Sequence, residues 1–294
     1  MRVIFRLPMQ RIAPRLWSKN EIDNKPRVLI TIPTWNEEIV IGKTLETLKT
    51  RIPVLLPHLQ VTIEVADNGS TDRTREIVGQ FVESRYISVD AQNETYTQNI
   101  VGAPRAVPLR CGMSPRCILF ELHEKGKGMA IRRSWEKHLA DFDVLAFMDA
   151  DLASDIQALP DLFDPIIKNQ ADLVCGSRFV TGSKVERKII REAASRVFNF
   201  LQKLILHLPV KDAQCGFKAI STKAARELLP FCEEDTWLLD SELLALAVKR
   251  NFRIEEIPVA WVEFRDPHRK SAVRLWKNAF KFLLGLAKIR GRVK

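Results

Sequence analysis

Short apolar runs rich in β-branched residues alternate with amphipathic stretches over residues 28–176. The runs are bounded by Gly, Pro, Asn or Asp, which predicts strands over 28–32, 61–66, 117–122, 144–148 and 172–175, with a weaker strand near 86–89. Helical spacing predicts helices between them, the first ending near residue 50 and the others over about 73–84, 128–139 and 156–169. This alternation is typical of a doubly wound, mostly parallel sheet, so we expect an α/β fold with flanking helices.

The second half of the chain carries two amphipathic helices and fewer strand signals. The helix over 192–208 places Phe198, Leu201, Ile205 and Leu208 on one face and Arg196, Asn199, Lys203 and His207 on another. A compact turn over 212–218, a helix that begins at Trp237 and a last strand over 252–262 follow. The helix over 272–289 separates Arg274, Lys277, Lys281 and Lys288 from Trp276, Phe280, Leu283 and Ala287.

Two stretches lack a clear pattern. Residues 87–117 predict a long loop, and loops of this length are usually functional or mobile. Residues 1–26 are basic and partly apolar, which indicates an arm that is either disordered or lies on a surface. We therefore expect three parts: a basic arm over 1–26, a catalytic α/β domain over 27–265 and a basic amphipathic helix over 266–294.

Charge is distributed unevenly around a total of +10. Residues 1–27 carry +5 and residues 264–294 carry +9, so the body between them is mildly acidic at −4. Basic ends suit lipid headgroups or nucleic acid, and ordinary solvated tails are the plain alternative. No nucleic-acid motif or aromatic-studded basic patch is present in the sequence, so we expect a membrane surface and no nucleic-acid partner.

The hydropathy of the chain and the spacing of its cysteines indicate its cellular compartment. No window holds 18 uncharged apolar residues, so we expect no helix that spans a membrane. The five cysteines show no C-x-x-C spacing, which disfavours a disulfide framework or a zinc site and fits a reducing compartment. We therefore expect a cytoplasmic protein, peripheral at a membrane.

Candidate chemistry centres on Asp149 and Asp151, which follow the apolar run 144–148. Ligands of open α/β sheets bind in the crevice beyond the carboxyl ends of the strands. Residues i and i+2 of a strand share a face, so both carboxylates could reach one ion. Hard cations such as Mg²⁺ or Mn²⁺ take carboxylate oxygens and bridge to nucleotide phosphates.

Three further turns follow strands of the same predicted sheet. Glu37 and Glu38 lie near a helix start, where main-chain N–H groups point outward. Asp67 can accept from the N–H of a nucleotide base, and Gly69 lets the backbone approach a ring closely. The run Lys125-Gly-Lys-Gly128 offers cations and bare backbone at a helix start, which suits phosphate.

Taken in order, these motifs resemble glycosyltransferase family 2, and in particular its dolichyl-phosphate mannose and glucose synthase branch. The matching runs cover about residues 28–290: Pro33…Asn36-Glu37-Glu38, Asp67-x-Gly-Ser-Thr-Asp72, Gly126-Lys-Gly128, Asp149-x-Asp151, Gly176-Ser-Arg178, Asp212-x-Gln-Cys-Gly-Phe-Lys218 and Asp240-x-Glu242. The resemblance implies a GT-A fold, a nucleotide-sugar donor, a divalent cation and inversion at the anomeric carbon.

The resemblance also implies roles for single residues. The donor side comprises Pro33, Asn36, Glu38, Asp67, Gly69, Lys127 and Asp149, with Asp67 on the base and Lys127 near the donor. Asp149 and Asp151 would bind the metal and diphosphate. Gln214 would lie on the sugar side, and Arg178, Arg191 and Ser195 would hold the acceptor and donor phosphates. The catalytic set is Asp151, Arg178, Arg191, Gln214 and Asp240.

Two acceptor classes remain open. A polyprenyl phosphate is already an anionic nucleophile, so catalysis would require positioning and charge neutralisation without a general base. A neutral hydroxyl of a glycan or glycolipid would require one, and Asp240 or Glu242 is the candidate. The donor is GDP-mannose or UDP-glucose. A non-catalytic sugar-nucleotide-binding protein is the remaining alternative, although both acids of the D-x-D are intact.

Overall fold

The computed structural model describes residues 25–88, 96–99, 114–186, 189–263 and 275–293. Almost all of the predicted basic arm and most of the predicted loop over 87–117 lie outside the described residues. Within that loop, the described part includes a strand over Tyr96–Asn99 that the sequence did not indicate.

A nine-stranded sheet forms the centre of the molecule, in the order β10-β7-β9-β6-β1-β2-β5-β3-β4. The strands are β1 (Arg27–Thr34), β2 (Gln60–Asp67), β3 (Ser84–Ser88), β4 (Tyr96–Asn99), β5 (Arg116–Glu121), β6 (Val144–Met148), β7 (Leu173–Ser177), β9 (Phe217–Ser221) and β10 (Ile254–Pro258). A small parallel pair joins β8 (Lys184–Glu186) to β11 (Ala260–Val262). Most neighbouring strands of the large sheet run parallel, as predicted.

Strand β9 interrupts the parallel order, because it pairs antiparallel with both β6 and β7. The predicted compact turn over 212–218 is therefore too long: the chain turns before Phe217 and then enters the sheet. Beside it, β6, β1 and β2 are mutually parallel, so their carboxyl ends open on one edge. That edge is where ligands of such sheets bind.

Eight helices lie among the described residues: α1 (Ile41–Leu55), α2 (Thr74–Gly79), α3 (Lys127–His138), α4 (Leu159–Ile167), α5 (Ile189–Leu206), α6 (Thr222–Leu228), α7 (Leu239–Lys249) and α8 (Leu275–Arg292). Several predicted bounds were wrong. The helix predicted over 73–84 ends at Gly79, and the helix predicted from 156 begins with one 3₁₀ turn. The last predicted strand is split between β10 and β11, which belong to different sheets.

Two apolar clusters cover the faces of the sheet. Helices α1 and α4 pack on one face, where Leu45 and Phe163 are fully buried. On the other face, Trp135 of α3 lies 6.1 Å from Phe147 of β6, measured between ring centroids. Each large apolar side chain removed from water contributes about 1.5–3 kcal/mol, so both faces stabilise the crevice edge.

Helix α8 belongs to the second cluster rather than forming an independent tail. Phe282, Leu286 and Ile289 are buried, and the ring of Phe282 stacks on Trp237 at 5.2 Å. On the predicted apolar face, Leu283 and Ala287 lie within the described part, and both are exposed. The side chains of Trp276, Lys277 and Phe280, and all of Arg274, lie outside the described part.

Helix α5 has an unusual distribution of side chains. Its most buried positions are Asn199, Gln202 and Leu206, so the prediction that Asn199 shares a face with Arg196, Lys203 and His207 was wrong, because those three residues are exposed. Its exposed side includes three large apolar residues, Val197, Phe200 and Leu204. Buried amide side chains are normally hydrogen-bonded, so we expect Asn199 and Gln202 to bind polar groups in the interior.

The cysteines within the described part of the chain are all buried. Cys117, Cys175, Cys215 and Cys232 are free and buried, as expected for a chain without a disulfide framework. Burial raises the pKa of the Cys117 thiol to about 12, so the group is inert near neutral pH. None of the described helices is both long and apolar enough to cross a bilayer.

Candidate active site

The turns after β1 and β2 are hydrogen-bonded to each other. Asn36 has a φ of 56°, and its N–H donates to Ser70 Oγ at 2.9 Å. Its side-chain oxygen accepts from the Thr71 N–H at 2.8 Å. Glu38 Oε2 accepts from the Arg73 N–H at 3.0 Å. Asn36 and Glu38, both predicted donor-binding residues, thus hold the two turns in one arrangement.

Asp67 lies at the end of β2, inside this pair of turns. Its carboxylate accepts from the Ser70 N–H at 3.0 Å and from the Ser70 hydroxyl, while Arg75 Nε lies 3.7 Å away. Burial raises the pKa of Asp67 above its ordinary value, against the opposing effects of Ser70 and Arg75. Gly69 has a φ of +74°, a conformation that a residue with a Cβ rarely adopts. The half-buried Pro33 pairs with Ala66 beside it.

Asp149 and Asp151 lie in a turn, and the prediction that they share a strand face was wrong, because β6 ends at Met148. The Asp149 N–H donates to Gly216 O at 3.1 Å, and the Thr44 hydroxyl donates to Ala150 O at 2.6 Å. Asp151 Oδ1 accepts from the Ala153 N–H at 3.1 Å. Contacts to helix α1 and to the segment before β9 therefore fix this turn.

Gly216 leaves the space that the Asp149 carboxylate fills. A Cβ built on Gly216 would lie 2.0 Å from Asp149 Oδ2 and 2.3 Å from its Cγ. These separations are far below any van der Waals contact, so only glycine fits at this position while Asp149 keeps its place. The sequence analysis missed Gly216 as a site residue, although it lies within the quoted Gln-Cys-Gly-Phe-Lys run.

Two lysines and two carboxylates form a line of alternating charge beside this turn. Lys127 Nζ lies 2.6 Å from Asp149 Oδ1, and Lys218 Nζ lies 2.8 Å from Asp240 Oδ1. Burial alone would lower the pKa of Lys127, but Asp149 and Asp240 raise it above its ordinary value. Lys218, missed by the sequence analysis, is buried in β9, and Asp240 likewise raises its pKa. Both lysines are therefore cationic at neutral pH.

The glycines around Lys127 have a packing role. A Cβ on Gly126 would lie 2.4 Å from Asp235 O, and one on Gly128 would lie 2.2 Å from Thr236 O. The Met129 N–H at the start of α3 already donates to Asp235 O at 3.0 Å. The glycines thus allow close packing against the backbone of Asp235 and Thr236, and the prediction of a phosphate site at this helix start stays a prediction. Lys127 itself supplies the cation.

Arg178 is bound to a buried acid. Its Nε and one terminal nitrogen lie 2.6 and 2.8 Å from the two carboxylate oxygens of Asp212. Burial alone would raise the pKa of Asp212, but the guanidinium holds it below its ordinary value. Asn199 adds a hydrogen bond of 3.2 Å to the same carboxylate. The charge of Arg178 is thus balanced within the protein, and the side chain of Arg191 lies outside the described part.

Gln214 is held by residues that the sequence analysis did not single out. Its Nε2 donates to Gln202 Oε1 at 3.1 Å and to Ser241 Oγ at 2.9 Å. Ser241 lies between Asp240 and Glu242 on α7. Ser195 lies on α5, half-buried, and its carbonyl accepts from the Asn199 side chain at 3.1 Å.

Asp240 and Glu242 point to different surroundings, as residues i and i+2 of a helix do. Glu242 Oε1 lies 2.6 Å from Arg292 of α8, and its Oε2 accepts from the N–H groups of Glu233 and Glu234. The alternative that Glu242 serves as a general base was therefore wrong, because it anchors α8. Asp240 remains the single acid of the pair on the side of Lys127.

The Asp149–Asp151 turn offers two carboxylates, which is fewer protein ligands than a closed metal site has. The described residues contain no group of three or more His, Cys, Asp or Glu side chains that could hold a metal. Mg²⁺ is commonly bound through one or two carboxylates completed by substrate phosphates and water. The two carboxylates at the crevice edge match that donor set, and the Lys127 ammonium on Asp149 shows that a cation is accommodated there.

Comparison with known proteins agrees with this geometry. The family model described as "Glycosyl transferase family 2" matches residues 29–229, more than half of the chain. The chain belongs to glycosyl transferase family 2. Membership of this family makes the protein a glycosyltransferase by class.

Relatives within and near the family vary in length. The glycosyltransferase AglD of Haloferax volcanii is 29% identical over 80% of this chain and 33% of its own length. A dolichyl-phosphate beta-glucosyltransferase of Dictyostelium discoideum is 28% identical over 93% of this chain and 80% of its own length. A dolichol-phosphate mannosyltransferase of Pyrococcus furiosus is 32% identical over 66% and 46%, respectively. The chain thus spans between a third and four fifths of these relatives.

Solved structures confirm the predicted GT-A fold. Glucosyl-3-phosphoglycerate synthase from Mycobacterium tuberculosis, in complex with Mn²⁺, UDP and glucosyl-3-phosphoglycerate, matches with a TM-score of 0.56. The match covers 96% of this chain and 86% of that one at 16% sequence identity. Identity at this level establishes a shared fold and leaves the substrate to be argued from the residues of this chain.

Proposed function

We propose that this glycosyltransferase moves a hexose from a nucleotide sugar to the phosphate of a polyprenyl lipid at the cytoplasmic face of a membrane, with inversion at the anomeric carbon. The observation that carries the proposal is the seating of Asp149 between Lys127 and Gly216. It places a carboxylate and a cation at the same crevice edge as the paired turns after β1 and β2.

The paired turns form the donor end of the site. Asp67 accepts from the N–H of the nucleotide base, and Gly69 leaves room for the ring. Asn36, Glu38 and Pro33 keep this end rigid, because their contacts join the two turns to β1 and β2. A preformed base site of this kind lowers the entropy lost when the nucleotide binds.

The diphosphate lies at the D-x-D turn in this proposal. Asp149 and Asp151 would hold a divalent cation, Mn²⁺ or Mg²⁺, which would offset the charge that develops on the leaving nucleoside diphosphate. Lys127 is the protein's own contribution to the same task, because it is cationic and already lies 2.6 Å from Asp149. Gln214 lies toward the sugar.

The environment of Asp240 favours a phosphate acceptor over a hydroxyl. Its carboxylate is buried and its charge is balanced by the Lys218 ammonium at 2.8 Å. A carboxylate that is only 5% exposed has little access to the hydroxyl of a bound acceptor. A polyprenyl phosphate needs no such base, since it is already anionic near neutral pH. The relatives named as dolichyl-phosphate glucosyltransferases and a dolichol-phosphate mannosyltransferase support the same choice.

A lipid acceptor also accounts for apolar residues left on the outside of two neighbouring helices. Phe200 of α5 is 64% exposed, and Val197 and Leu204 lie beside it on the same helix. Leu283 and Leu284 of α8 are exposed as well, and the two helices are in contact through Phe198 and Phe282. We define Val197, Phe200, Leu204, Leu283 and Leu284 as the apolar face.

Cationic residues surround the apolar face, as expected for an anionic headgroup layer. Lys203 of α5 and Lys281 and Lys288 of α8 are exposed. Each Lys or Arg near an anionic leaflet contributes about 1 kcal/mol, and buried apolar side chains add to this. Arg178, Arg191 and Ser195 are the proposed acceptor-phosphate residues. Arg178 would act through its remaining N–H groups, because Asp212 occupies two of its nitrogens.

The experiment offers radiolabelled GDP-mannose or UDP-glucose to purified protein together with a polyprenyl phosphate and Mn²⁺. Label extracted with the lipid from one of the two donors is the expected result. A matched reaction with the corresponding polyprenol, which has a hydroxyl in place of the phosphate, should give none. Labelling of the polyprenol but not of the phosphate, or of neither lipid, would overturn the proposal.

A further inference from the structure

Helix α5 carries a fully buried glutamine whose side chain meets the proposed sugar-binding residue. Gln202 is 0% exposed, although glutamine is rarely found in a protein interior without a polar task. Its Oε1 accepts from Gln214 Nε2 at 3.1 Å and from Ser241 Oγ at 2.5 Å. The three side chains thus form a closed triangle, since Gln214 Nε2 also donates to Ser241 Oγ.

The triangle fixes which end of the Gln214 amide is available to a ligand. Both N–H bonds of Gln214 Nε2 are directed to partners within the protein. Gln214 is only half-buried, and both side-chain hydrogen bonds that it makes to the described residues come from Nε2. A primary amide has two donors at one end and an acceptor at the other, so the end left open accepts hydrogen bonds only.

We propose that Gln202 is a positioning residue that orients Gln214, so that the Gln214 carbonyl oxygen accepts a hydrogen bond from a hydroxyl of the donor sugar. This inference rests on the proposed function, because it places the sugar at Gln214. Gln202 itself does not touch the substrate. Its role is to hold the donor end of the Gln214 amide away from the sugar and to keep the acceptor end in one place.

The position of the triangle supports a role in the reaction rather than in stability alone. Gln214 lies two residues before Gly216, which seats Asp149, and Ser241 adjoins Asp240. Gln202 Nε2 is buried and makes no hydrogen bond within the described residues, which costs stability. An apolar residue would fill this position of α5 at less cost. A buried amide retained at such a cost indicates a functional constraint.

The test compares the binding of a nucleotide sugar with that of its nucleoside diphosphate, both measured by calorimetry with Mn²⁺ present. In Gln202→Met, we expect the affinity for the nucleotide sugar to fall about tenfold while the nucleoside diphosphate binds as in wild type, since one hydrogen bond to the sugar is lost. Gln214→Met should lose the same amount, and the double variant should lose no more than either single variant. Leu206→Met, one turn further along the buried side of α5, is the matched core control and should change neither affinity.

Each result decides the inference. If Gln202→Met lost equal affinity for the nucleotide sugar and the nucleoside diphosphate, or lost no affinity for either, Gln202 would have no effect on sugar binding. Either result would overturn the inference. Additive losses in the double variant would also overturn it, because the two residues would then act separately. If Gln202→Met does not fold, Ser241→Ala replaces it, since it removes the other partner of Gln214 Nε2 with a smaller change in volume. Failure of the wild type to bind any nucleotide sugar would instead refute the proposed function.

Discussion

The carboxylate of Asp149 occupies the space that a side chain at Gly216 would need: a Cβ on Gly216 would lie 2.0 Å from Asp149 Oδ2. Asp149 directly follows β6 and Gly216 directly precedes β9, and the antiparallel pairing of these two strands brings the residues together. Asp149, the acid most important to the proposed chemistry, therefore keeps its position only because residue 216, 67 residues later in the chain, is a glycine without a Cβ.

Gly216→Ala should abolish most activity while preserving the fold. The added methyl forces Asp149 away from Lys127, and displacing a catalytic group by about 1 Å costs about 100-fold in rate. The local overpacking should lower the free energy of unfolding by about 1–3 kcal/mol. Steady-state transfer and chemical denaturation measure the two effects.

Gly79→Ala is the matched control, because a Cβ at that position meets nothing within 4 Å. It should leave both rate and stability close to wild type. Full activity of Gly216→Ala would show that Asp149 does not need its present position for transfer.

Asp240→Asn should spare most of the transfer to a lipid phosphate, because that acceptor needs no general base. Removing a general base from a hydroxyl acceptor would instead cost about 10²–10⁴-fold. The substitution leaves the buried Lys218 ammonium without its carboxylate, so stability should fall by about 3–5 kcal/mol. Rates must therefore be expressed per folded enzyme, from circular dichroism of the same samples.

The double variant Asp240→Asn, Lys218→Met removes both charges and separates the two effects. Stability should recover in part while the transfer rate stays near that of the single variant. A collapse in rate for both variants, with folding and donor binding intact, would favour a hydroxyl acceptor.

Phe200→Glu should weaken binding to anionic vesicles. Removing a buried phenyl ring from the lipid forfeits about 1.5–3 kcal/mol, which corresponds to a fall of about tenfold or more in the partition coefficient. Flotation with phosphatidylserine-containing vesicles at low salt gives the bound fraction directly.

Val54→Glu provides the comparison, because Val54 is an exposed apolar residue of α1, outside the apolar face. It should float like wild type. Two results would contradict the proposal that the apolar face binds membranes. One is a wild-type protein that does not float with the vesicles at low salt, and the other is an equal loss of vesicle binding in the two variants.

Stability should decline as the pH rises past neutrality, because of a buried ion pair far from the crevice. His138 Nε2 lies 2.8 Å from Glu64, which is fully buried in β2. Burial alone would lower the pKa of His138, but Glu64 raises it above its ordinary value, against the opposing charge of Lys137. A base with a raised folded-state pKa stabilises the fold fully below its unfolded-state pKa of about 6.5 and loses that contribution as the pH rises through the folded value.

Unfolding free energies measured by denaturant between pH 5 and pH 9 test this dependence. His138→Gln should flatten the decline more than His58→Gln does, because the His58 side chain is 46% exposed whereas that of His138 is 6% exposed. If the free energy of unfolding of His138→Gln depended on pH as steeply as that of the wild type, groups other than His138 would be responsible for the decline.

Much of the fold could be predicted from the sequence, since β1, β5, β6 and β7 are mainly apolar runs, which mark strands buried on both faces, and β2 is rich in β-branched residues. Strand β9 was missed, because Phe217–Ser221 contains a lysine and directly follows a turn motif. The lysine is stabilised inside the sheet by Asp240, which lies 22 residues away, and by the Cys215 carbonyl oxygen.

The acids of the site could be predicted, but the residues that hold them could not. Asp67, Asp149 and Asp151 occur in short motifs at strand ends, which local spacing reveals. Gln202 and Lys218 are buried polar groups whose partners lie on other elements. Their role follows from tertiary contacts alone, and periodicity assigns such residues to a solvated face.

The most direct test of the account is Mn²⁺ binding followed by electron paramagnetic resonance, with and without UDP or GDP. The account predicts that the wild type binds Mn²⁺ tightly only when one of the nucleotides is present, because two carboxylates complete their site with phosphate oxygens. Asp151→Asn should abolish this dependence, and Asp161→Asn, an exposed acid on α4, should retain it. Equal Mn²⁺ binding with and without nucleotide, or an unchanged response in Asp151→Asn, would contradict the claim that the D-x-D turn holds a cation for the leaving diphosphate.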